Sequence, residues 1–413
     1  MIETKLNTKF YLAPHIYYAK TAKGAFLLYN TKTGEHIESN SSICCNLIDR
    51  IYEPANLGMI DISDIDFLDK EVYDFIEEIK NKNFGKIIEQ KEDASQYINL
   101  LPILNLQRDV ERLKTDREVS IGEDLINYLN ELNIYINNSC TQNCPNCNIH
   151  YKQVKACYKE VQNKYLDLST IKRVLNSLAY SQLNRINILG GNIFQHPYFA
   201  ELLNLLKEYH FNFHLWSHYA NFDNQTMIKE NFSYDVIIAF PIEDIFWNRC
   251  IDLLKDKQAS YHFYIANEEE YNKSETLIGK HKIENYSISP IYTENNLNFF
   301  EENIYIEKDD IFENIIPFRH IFRNQKLNSN YFGKLYVLPG GSVKASMNTS
   351  VLGNIKNNSL LEIIYCELDR NTTWRQIRDK EPCSSCLYQF LCPPPSNYET
   401  VINKPNLCHI KNL

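Results

Sequence analysis

Three cysteines lie close together in the stretch NSCTQNCPNCNIHYK, residues 138–152. Cys140, Cys144 and Cys147 have the spacing C-x3-C-x2-C. Thiolates prefer zinc or iron–sulfur clusters as metal partners. Zinc would require a fourth ligand, which His150 or Cys157 could supply. A four-iron cluster held by three thiolates instead leaves one iron open to another molecule. The spacing therefore predicts an iron–sulfur cluster, with a structural zinc site as the alternative.

A second group of cysteines lies near the C-terminus. Cys383, Cys386 and Cys392 follow the spacing C-x2-C-x5-C, and Cys408 comes sixteen residues later. Four thiolates close a metal site, so its role would be structural or electron transfer. We expect the remaining cysteines to be small buried hydrophobic residues: Cys44, Cys45, Cys157, Cys250 and Cys366.

Composition restricts the class of protein. The chain has 413 residues, 44% hydrophobic and 23% charged, which is ordinary for a globular protein of two or three domains. A net charge of −9 argues against a nucleic-acid partner. The first twenty residues carry charges throughout, and no apolar run is long enough to span a membrane. We therefore expect a cytoplasmic protein without a membrane partner, in which reduced cysteines bind metal or pack in the core.

Residues 1–90 are predicted to form a small α+β unit. FYLAPHIYYA and AFLLYNTKTGEHIE read as two strands, the second turning at Thr33 and Gly34. The segments SSICCNLIDRIYE and DKEVYDFIEEIKNK show helical periodicity, with a short strand, GMIDISD, between them. This order suggests a winged-helix-like module. Residues 91–130 are polar and read as a helical connector.

Residues 131–305 alternate between strands and helices. Six strands are predicted, each followed by a helix, including helices near 223–231, 243–256 and 270–280. The order fits a parallel sheet curled into a partial (β/α)6 TIM-like barrel, in which chemistry occurs at the C-terminal strand ends. The cysteine loop follows the first strand, as this rule expects. Residues 306–413 form a small cysteine-rich domain with a thin core and a hairpin at GKLYVLPGGSVKAS.

The cysteine loop and a glycine pair after the second strand resemble the radical S-adenosylmethionine superfamily. There, the loop carries the C-x3-C-x2-C signature, and a Gly-Gly-Glu-Pro motif binds the amino group of the cofactor. This chain has GGNIFQHP in that place, so Gly190 and Gly191 match and Asn192 replaces the glutamate. The superfamily usually has an aromatic residue just before the third cysteine, whereas this chain has Asn146. The resemblance implies a 4Fe-4S cluster and S-adenosylmethionine, held by Gly190, Gly191, Asn192 and, after the third strand, Ser217.

The C-terminal cysteines resemble a SPASM domain. In that family, C-x2-C-x5-C and a final cysteine ligate one auxiliary cluster, and further cysteines ligate a second. The second set is lost here, with Ser346 and Ser396 at two of its positions. The resemblance implies one auxiliary 4Fe-4S cluster, at Cys383, Cys386, Cys392 and Cys408, with zinc as the alternative.

The whole chain resembles the SPASM-domain peptide maturases, and most closely the pseudo-radical-SAM SPASM proteins of Gly-Gly-leader peptide systems. The CPPPSNYE segment carries the resemblance to that group. It implies a ribosomally made precursor peptide, bound through its leader at a sheet edge of the N-terminal module, and an electron donor. A dimerisation module is the alternative for residues 1–90.

Three functions follow from these patterns. The first is radical chemistry that cross-links or epimerises the precursor peptide. The second is a non-catalytic scaffold that presents the peptide, with His150 or Cys157 closing the first cluster. The third is a zinc-stabilised regulatory protein. No side chain is identified from sequence as a hydrogen donor.

Overall fold

The computed structural model describes residues 8–62, 69–89, 125–160, 162–179, 181–183, 185–223, 228–229 and 232–410. Most of the predicted connector, residues 91–130, therefore lies outside the described residues. The described part contains a small N-terminal region, a central mixed sheet with helices and a cysteine-rich C-terminal region.

The N-terminal region contains two three-stranded antiparallel sheets and two helices. One sheet has the order β5–β1–β6 and the other β2–β3–β4. The elements are β1 (Thr8–Leu12), β2 (Ile16–Lys20), β3 (Phe26–Asn30), β4 (His36–Ser39), α1 (Ser42–Tyr52), β5 (Met59–Ile62), α2 (Lys70–Asn81) and β6 (Gly85–Glu89). The predicted strand FYLAPHIYYA is instead divided between the two sheets. Pro14 lies in the turn that separates them, where its missing N–H leaves no gap in a sheet.

The central sheet confirms the predicted strand–helix alternation. Its six parallel strands are hydrogen-bonded in chain order, from β7 to β12. They are β7 (Glu131–Tyr135), β8 (Arg185–Leu189), β9 (Asn212–His218), β10 (Ser233–Ala239), β11 (Ala259–Ile265) and β12 (Tyr286–Pro290).

The helices that accompany these strands are α3 (Cys147–His150), α4 (Leu168–Ser177), α5 (Phe199–Leu206), α6 (Asp244–Leu254), α7 (Glu268–His281) and α8 (Leu297–Asn303). The helix predicted near 223–231 falls largely outside the described residues. Of these helices, α3 is a single turn within the cysteine loop. None of the helices in the described ranges is both long and apolar enough to cross a membrane.

The C-terminal region adds strands to the central sheet. Strand β13 (Lys334–Val337) pairs in parallel with β7, and β14 (Ser342–Lys344) and β15 (Gly353–Asn354) follow it in antiparallel order. The predicted hairpin is present, but its extension of the central sheet was not predicted. Helices α9 (Lys308–Phe312), α10 (Phe318–Asn324), α11 (Leu360–Arg370) and α12 (Asn397–Ile402) complete this region.

The N-terminal region packs against the C-terminal region through the β2–β3–β4 sheet. Leu27 and Tyr29, on β3, share an apolar cluster with Tyr388 and Leu391. Glu38, on β4, accepts a hydrogen bond from the Tyr388 hydroxyl at 2.9 Å and pairs with Lys308 at 2.7 Å. The module predicted to bind a peptide therefore contacts the loop that carries the C-terminal cysteines.

Candidate metal centres

The first cysteine loop begins where β7 ends. Cys147 opens the short helix α3, and Asn146 precedes it with a left-handed φ of 56°. Asparagine tolerates this conformation better than an aromatic residue does. The local backbone thus gives a physical reason for asparagine at position 146.

The three thiols of this loop are partly exposed, and their surroundings favour the protonated form. Burial raises the pKa of Cys140 and Cys147, and burial together with the nearby thiols raises that of Cys144 to about 11. Within the described residues, no three His, Cys, Asp or Glu side chains are placed to hold one metal ion. A four-iron cluster takes one thiolate on each iron and so separates its ligands more widely. Thiolates suit both iron–sulfur clusters and zinc, so the cluster at this loop stays a prediction.

Gly190 and Gly191 follow β8 and contact the cysteine loop. A Cβ on Gly190 would lie 2.3 Å from Asn137 Oδ1, and one on Gly191 would lie 2.3 Å from the Ser139 carbonyl oxygen. The Gly191 N–H donates to Asn137 O at 3.1 Å. Because Gly190 and Gly191 have no side chain, the backbone after β8 can pack directly against the residues that precede Cys140. Cofactor binding by the same glycines remains a prediction.

The other two predicted cofactor residues are buried. Asn192 donates its N–H to the Ser139 carbonyl at 2.6 Å, and its side-chain oxygen accepts from the Phe194 N–H at 3.0 Å. Ser217 lies on β9, where its hydroxyl accepts a hydrogen bond from Asn221 at 3.2 Å. Asn192 thus lies beside the cysteine loop, while a contact of either side chain with the cofactor stays a prediction.

The inner face of the sheet is covered by the chain itself. Residues 151–158, here called the interior segment, follow α3 and supply Ala156 and Tyr158 to an apolar cluster with residues of five parallel strands. That cluster includes Tyr135, Leu189, Trp216, Ile237 and Tyr264. The interior segment therefore covers the sheet face opposite the one that packs against the helices.

Hydrogen bonds fix the interior segment on several sides. The Tyr264 hydroxyl donates to the Lys155 carbonyl, and the Tyr158 N–H donates to Gly190 O at 3.0 Å. Gln153 exchanges two hydrogen bonds of 2.8 Å with the backbone of Tyr292. The segment is therefore tied to the ends of several strands.

Lys155 extends from this segment to the start of β7. Its ammonium group pairs with Glu131 Oε2 at 2.9 Å and lies 5.4 Å from the centre of the Trp216 ring. Burial lowers the pKa of Lys155, against the opposing effect of Glu131. This partly buried ion pair fixes the segment deep in the sheet interior.

A further polar group lies on the inner face near the strand starts. Asp235 accepts hydrogen bonds from His214 at 2.7 Å, His262 at 2.9 Å and Arg185 at 3.2 Å. Although burial opposes ionisation, the two imidazoles hold the pKa of Asp235 below its ordinary value. Because this group lies away from the C-terminal strand ends, we interpret it as structural.

Sequence patterns did not predict where Cys157 and His218 lie in the fold. Cys157 is half-buried in the interior segment, and burial, together with the three loop thiols, raises the pKa of its thiol. His218 ends β9, and its Nε2 lies 3.7 Å from Cys144 Sγ. Burial lowers the pKa of His218 and of His150 to about 4, so both rings are neutral at physiological pH.

The sequence had assigned Cys157 to core packing or, alternatively, to a fourth ligand position. His218 was not identified, although its place at a C-terminal strand end was a usable signal.

The C-terminal cysteines form a second group. Burial is the largest effect on three of them and raises the pKa of Cys383, Cys386 and Cys392. Burial raises the pKa of Cys392 to about 12, an effect opposed by the Arg378 guanidinium. Arg378 lies 3.8 Å from Cys383 Sγ and pairs with Glu399 at 2.8 Å. The arrangement fits a closed four-cysteine cluster beside a buried cation.

Ser346 and Ser396, the two serines that the sequence resemblance singled out, line one cavity of about 300 Å³. They are fifty residues apart in sequence. The Ser346 hydroxyl bonds to Asn397 Oδ1 at 3.2 Å, while the Ser396 hydroxyl donates to Glu399 at 2.5 Å. Both serine hydroxyls therefore have hydrogen-bond partners within the chain.

No protein-family model and no curated protein matches this sequence. Among solved structures, the chain is similar to Streptococcus suis SuiB bound to precursor peptide SuiA, at 13% identity and a TM-score of 0.47, covering 97% of this chain and 99% of that chain. SuiB bound to S-adenosylmethionine gives 13% identity, the same coverage and a TM-score of 0.48. The similarity to native anSMEcpe with bound AdoMet is 12% identity and a TM-score of 0.43, covering 63% of this chain and 88% of that chain.

At these identities and scores, the similarity supports no statement about the chemistry of this chain.

Proposed function

We propose that the protein is a radical S-adenosylmethionine enzyme that modifies a ribosomally made peptide. One observation carries the proposal: three free thiols lie in one loop at the C-terminal end of the first parallel strand, Cys140, Cys144 and Cys147. Bound there, a 4Fe-4S cluster would supply the electron that cleaves S-adenosylmethionine to a 5′-deoxyadenosyl radical.

The surrounding residues would position these partners. The backbone of Gly190 and Gly191 fixes the cysteine loop, and Asn192 and Ser217 are the candidates for contact with S-adenosylmethionine. The C-terminal cysteines would hold the auxiliary cluster and receive electrons from a donor protein. The N-terminal sheets would bind the leader as an added strand, for which β4 is a candidate because its described neighbours pair with it on one side.

The experiment is 5′-deoxyadenosine formation by anaerobically reconstituted protein with a strong reductant. Wild type is compared with a Cys140/Cys144/Cys147→Ala variant, in the presence and absence of the precursor peptide. Turnover that disappears in the variant supports the proposal. A protein shown to hold both clusters, yet forming no 5′-deoxyadenosine, contradicts it.

A non-catalytic scaffold is the second candidate, and the interior segment favours it. Ala156 is 2% exposed and Tyr158 is 7% exposed, so the chain itself occupies the interior of the sheet. Such a protein would present the precursor peptide and keep its clusters for structure or electron transfer. Peptide binding without turnover distinguishes this function from the first.

A further inference from the structure

The cavity that Ser346 and Ser396 line, of about 300 Å³, lies in the C-terminal region and is built from distant parts of the chain. Many of its lining side chains carry a hydroxyl or an amide, among them Thr349, Gln376 and Asn397. A volume of this size suits a small organic molecule or one side chain of a larger partner. The cavity is therefore a candidate binding site in addition to the cysteine loop.

The charged residues of the cavity favour a negatively charged ligand. Arg378, Lys380 and Lys404 line it, against one carboxylate, that of Glu399. Lys404 already pairs with Glu301 at 3.1 Å. Lys380 is exposed and has no ion-pair partner within the part of the chain that the structure describes. Lys380 is thus the cation that remains available to a ligand.

The hydroxyl of Tyr331 provides an independent observation. Tyr331 lines the same cavity and is only 7% exposed, yet its hydroxyl has no hydrogen-bond partner among the described residues. Burial raises the pKa of Tyr331, so the group keeps its proton and is a donor at physiological pH. Buried hydroxyls usually have a partner, because water bonded to them in the unfolded chain. A ligand with an acceptor oxygen would restore that bond.

The contacts of Arg378 restrict the kind of anion. Its Nη2 pairs with Glu399 at 2.8 Å, its Nη1 lies 3.8 Å from Cys383 Sγ, and its Nε donates to the Pro393 carbonyl. The guanidinium is therefore not free for the two parallel hydrogen bonds with which arginine binds phosphate. Glu399 would also repel a doubly charged ligand. A singly charged carboxylate fits the donors that remain.

We propose that this cavity binds a carboxylate group, which accepts a hydrogen bond from the Tyr331 hydroxyl and pairs with Lys380. The carboxylate belongs to a small acid or to an acidic side chain of a peptide, and the recognising chemistry is the same for both. Cys383 also lines the cavity, so the ligand lies beside the C-terminal metal site. The inference goes beyond the proposed function, because the residues assigned to S-adenosylmethionine do not line this cavity.

The test is isothermal titration calorimetry on the reconstituted full-length protein, without S-adenosylmethionine or reductant. The probes are N-acetylglycine, an acetylated Gly-Glu-Gly amide, its neutral Gly-Gln-Gly analogue and inorganic phosphate. We expect at least one of the two carboxylates to bind with a Kd below about 1 mM, and the neutral peptide and phosphate to bind at least roughly tenfold more weakly. Binding of N-acetylglycine alone indicates a small acid, and binding of the glutamate peptide indicates a peptide side chain. No binding of either carboxylate, or equal binding of phosphate or of the neutral peptide, would overturn the proposal.

Two variants test the named residues. Tyr331→Phe keeps the ring and removes the hydroxyl, and we expect the carboxylate affinity to fall roughly tenfold. Lys380→Gln should lower it about threefold and make it less sensitive to salt. The matched controls are Tyr388→Phe, whose hydroxyl donates to Glu38 outside the cavity, and Lys356→Gln on the surface. Both controls should bind as wild type does.

Unchanged affinity in both Tyr331→Phe and Lys380→Gln would contradict the assignment. If thermal unfolding shows that Tyr331→Phe is not folded, the exposed Lys380→Gln decides the result. The titrations do not depend on radical chemistry. A protein that forms no 5′-deoxyadenosine but binds the carboxylate contradicts only the proposed function, and an active enzyme that binds none contradicts only the cavity site.

Discussion

The two cysteine groups of this protein differ in how the fold supports them. The first lies at the end of β7, on a large apolar core of strands and helices, and is surrounded by aromatic rings and neutral imidazoles. The second lies in a region with short elements, beside the buried Arg378. We therefore expect the first site to form without metal, and the order around the second site to depend on metal.

Charge distinguishes the two sites as well. A cluster with four thiolates is an anion, and its reduction adds one further negative charge. Arg378 compensates this charge at the C-terminal site, while His218 and His150 are neutral at the first site. We therefore expect the C-terminal cluster to have the higher reduction potential. This order is compatible with a structural or electron-storing cluster, and it is not one that electron relay to the first cluster requires.

The largest effect is expected from removing one ligand at the C-terminal site. Cys392→Ala should unfold that region and release the N-terminal region, because Leu391 and Tyr388 pack on Leu27. We expect the melting temperature to fall by more than roughly 10 °C. The measurement is thermal unfolding by circular dichroism.

Cys144→Ala at the first site is the matched comparison for Cys392→Ala. It should leave the melting temperature of the barrel nearly unchanged. Equal falls in melting temperature for the two variants would show that the stability of the protein depends equally on both sites.

Gly190→Ala tests how the fold supports the first site. Its Cβ would lie 2.3 Å from Asn137 Oδ1, so the cysteine loop must move. Overpacking of this kind costs about 1–3 kcal/mol. We expect the iron content of the first site alone to fall, as measured by iron analysis and EPR. Gly279→Ala in α7, where nothing lies within 4 Å, should be neutral or slightly stabilising.

Lys155→Met tests whether the interior segment depends on its ion pair. Loss of the ammonium group leaves the partly buried Glu131 carboxylate without its nearest cation, and we expect a loss of about 1–3 kcal/mol in the free energy of unfolding. Hydrogen exchange should also increase across residues 151–158. Lys152→Met is the control. The double variant with Glu131→Gln should recover much of the loss, and absence of this recovery would contradict a specific pair.

Arg378→Gln tests the electrostatic difference between the sites. Without the guanidinium, reduction of the C-terminal cluster becomes less favourable, and Glu399 adds to this effect. We expect its potential to fall on the order of 50–100 mV, while that of the first cluster stays constant. Redox titration followed by EPR gives both values. Arg370→Gln, on the exposed side of α11, is the control, and an equal shift there would contradict the assignment.

Local sequence patterns predicted most of the central sheet. Short apolar runs such as RINIL in β8 and amphipathic segments such as α4 are local features. Contacts between residues distant in sequence could not be predicted from such patterns. The pairing of β13 with β7 joins residues about two hundred positions apart, and local periodicity carries no information about it.

In the candidate site, too, local features were visible in the sequence and contacts made by folding were not. The spacing of Cys140, Cys144 and Cys147 is visible in the sequence, as is the need for glycine at Gly190. The contact that requires this glycine, Asn137, depends on the packing of two strand ends. Cys157 had no distinguishing neighbours in sequence, because its position follows from the buried course of the interior segment.

The most direct measurement is iron and acid-labile sulfide per chain, with Mössbauer spectra, for the reconstituted wild type and the Cys140/Cys144/Cys147→Ala variant. Two 4Fe-4S clusters predict roughly eight irons in wild type and about four in the variant. A colourless protein that binds zinc, or a variant with the iron content of wild type, would contradict the assignment of a cluster to the first loop.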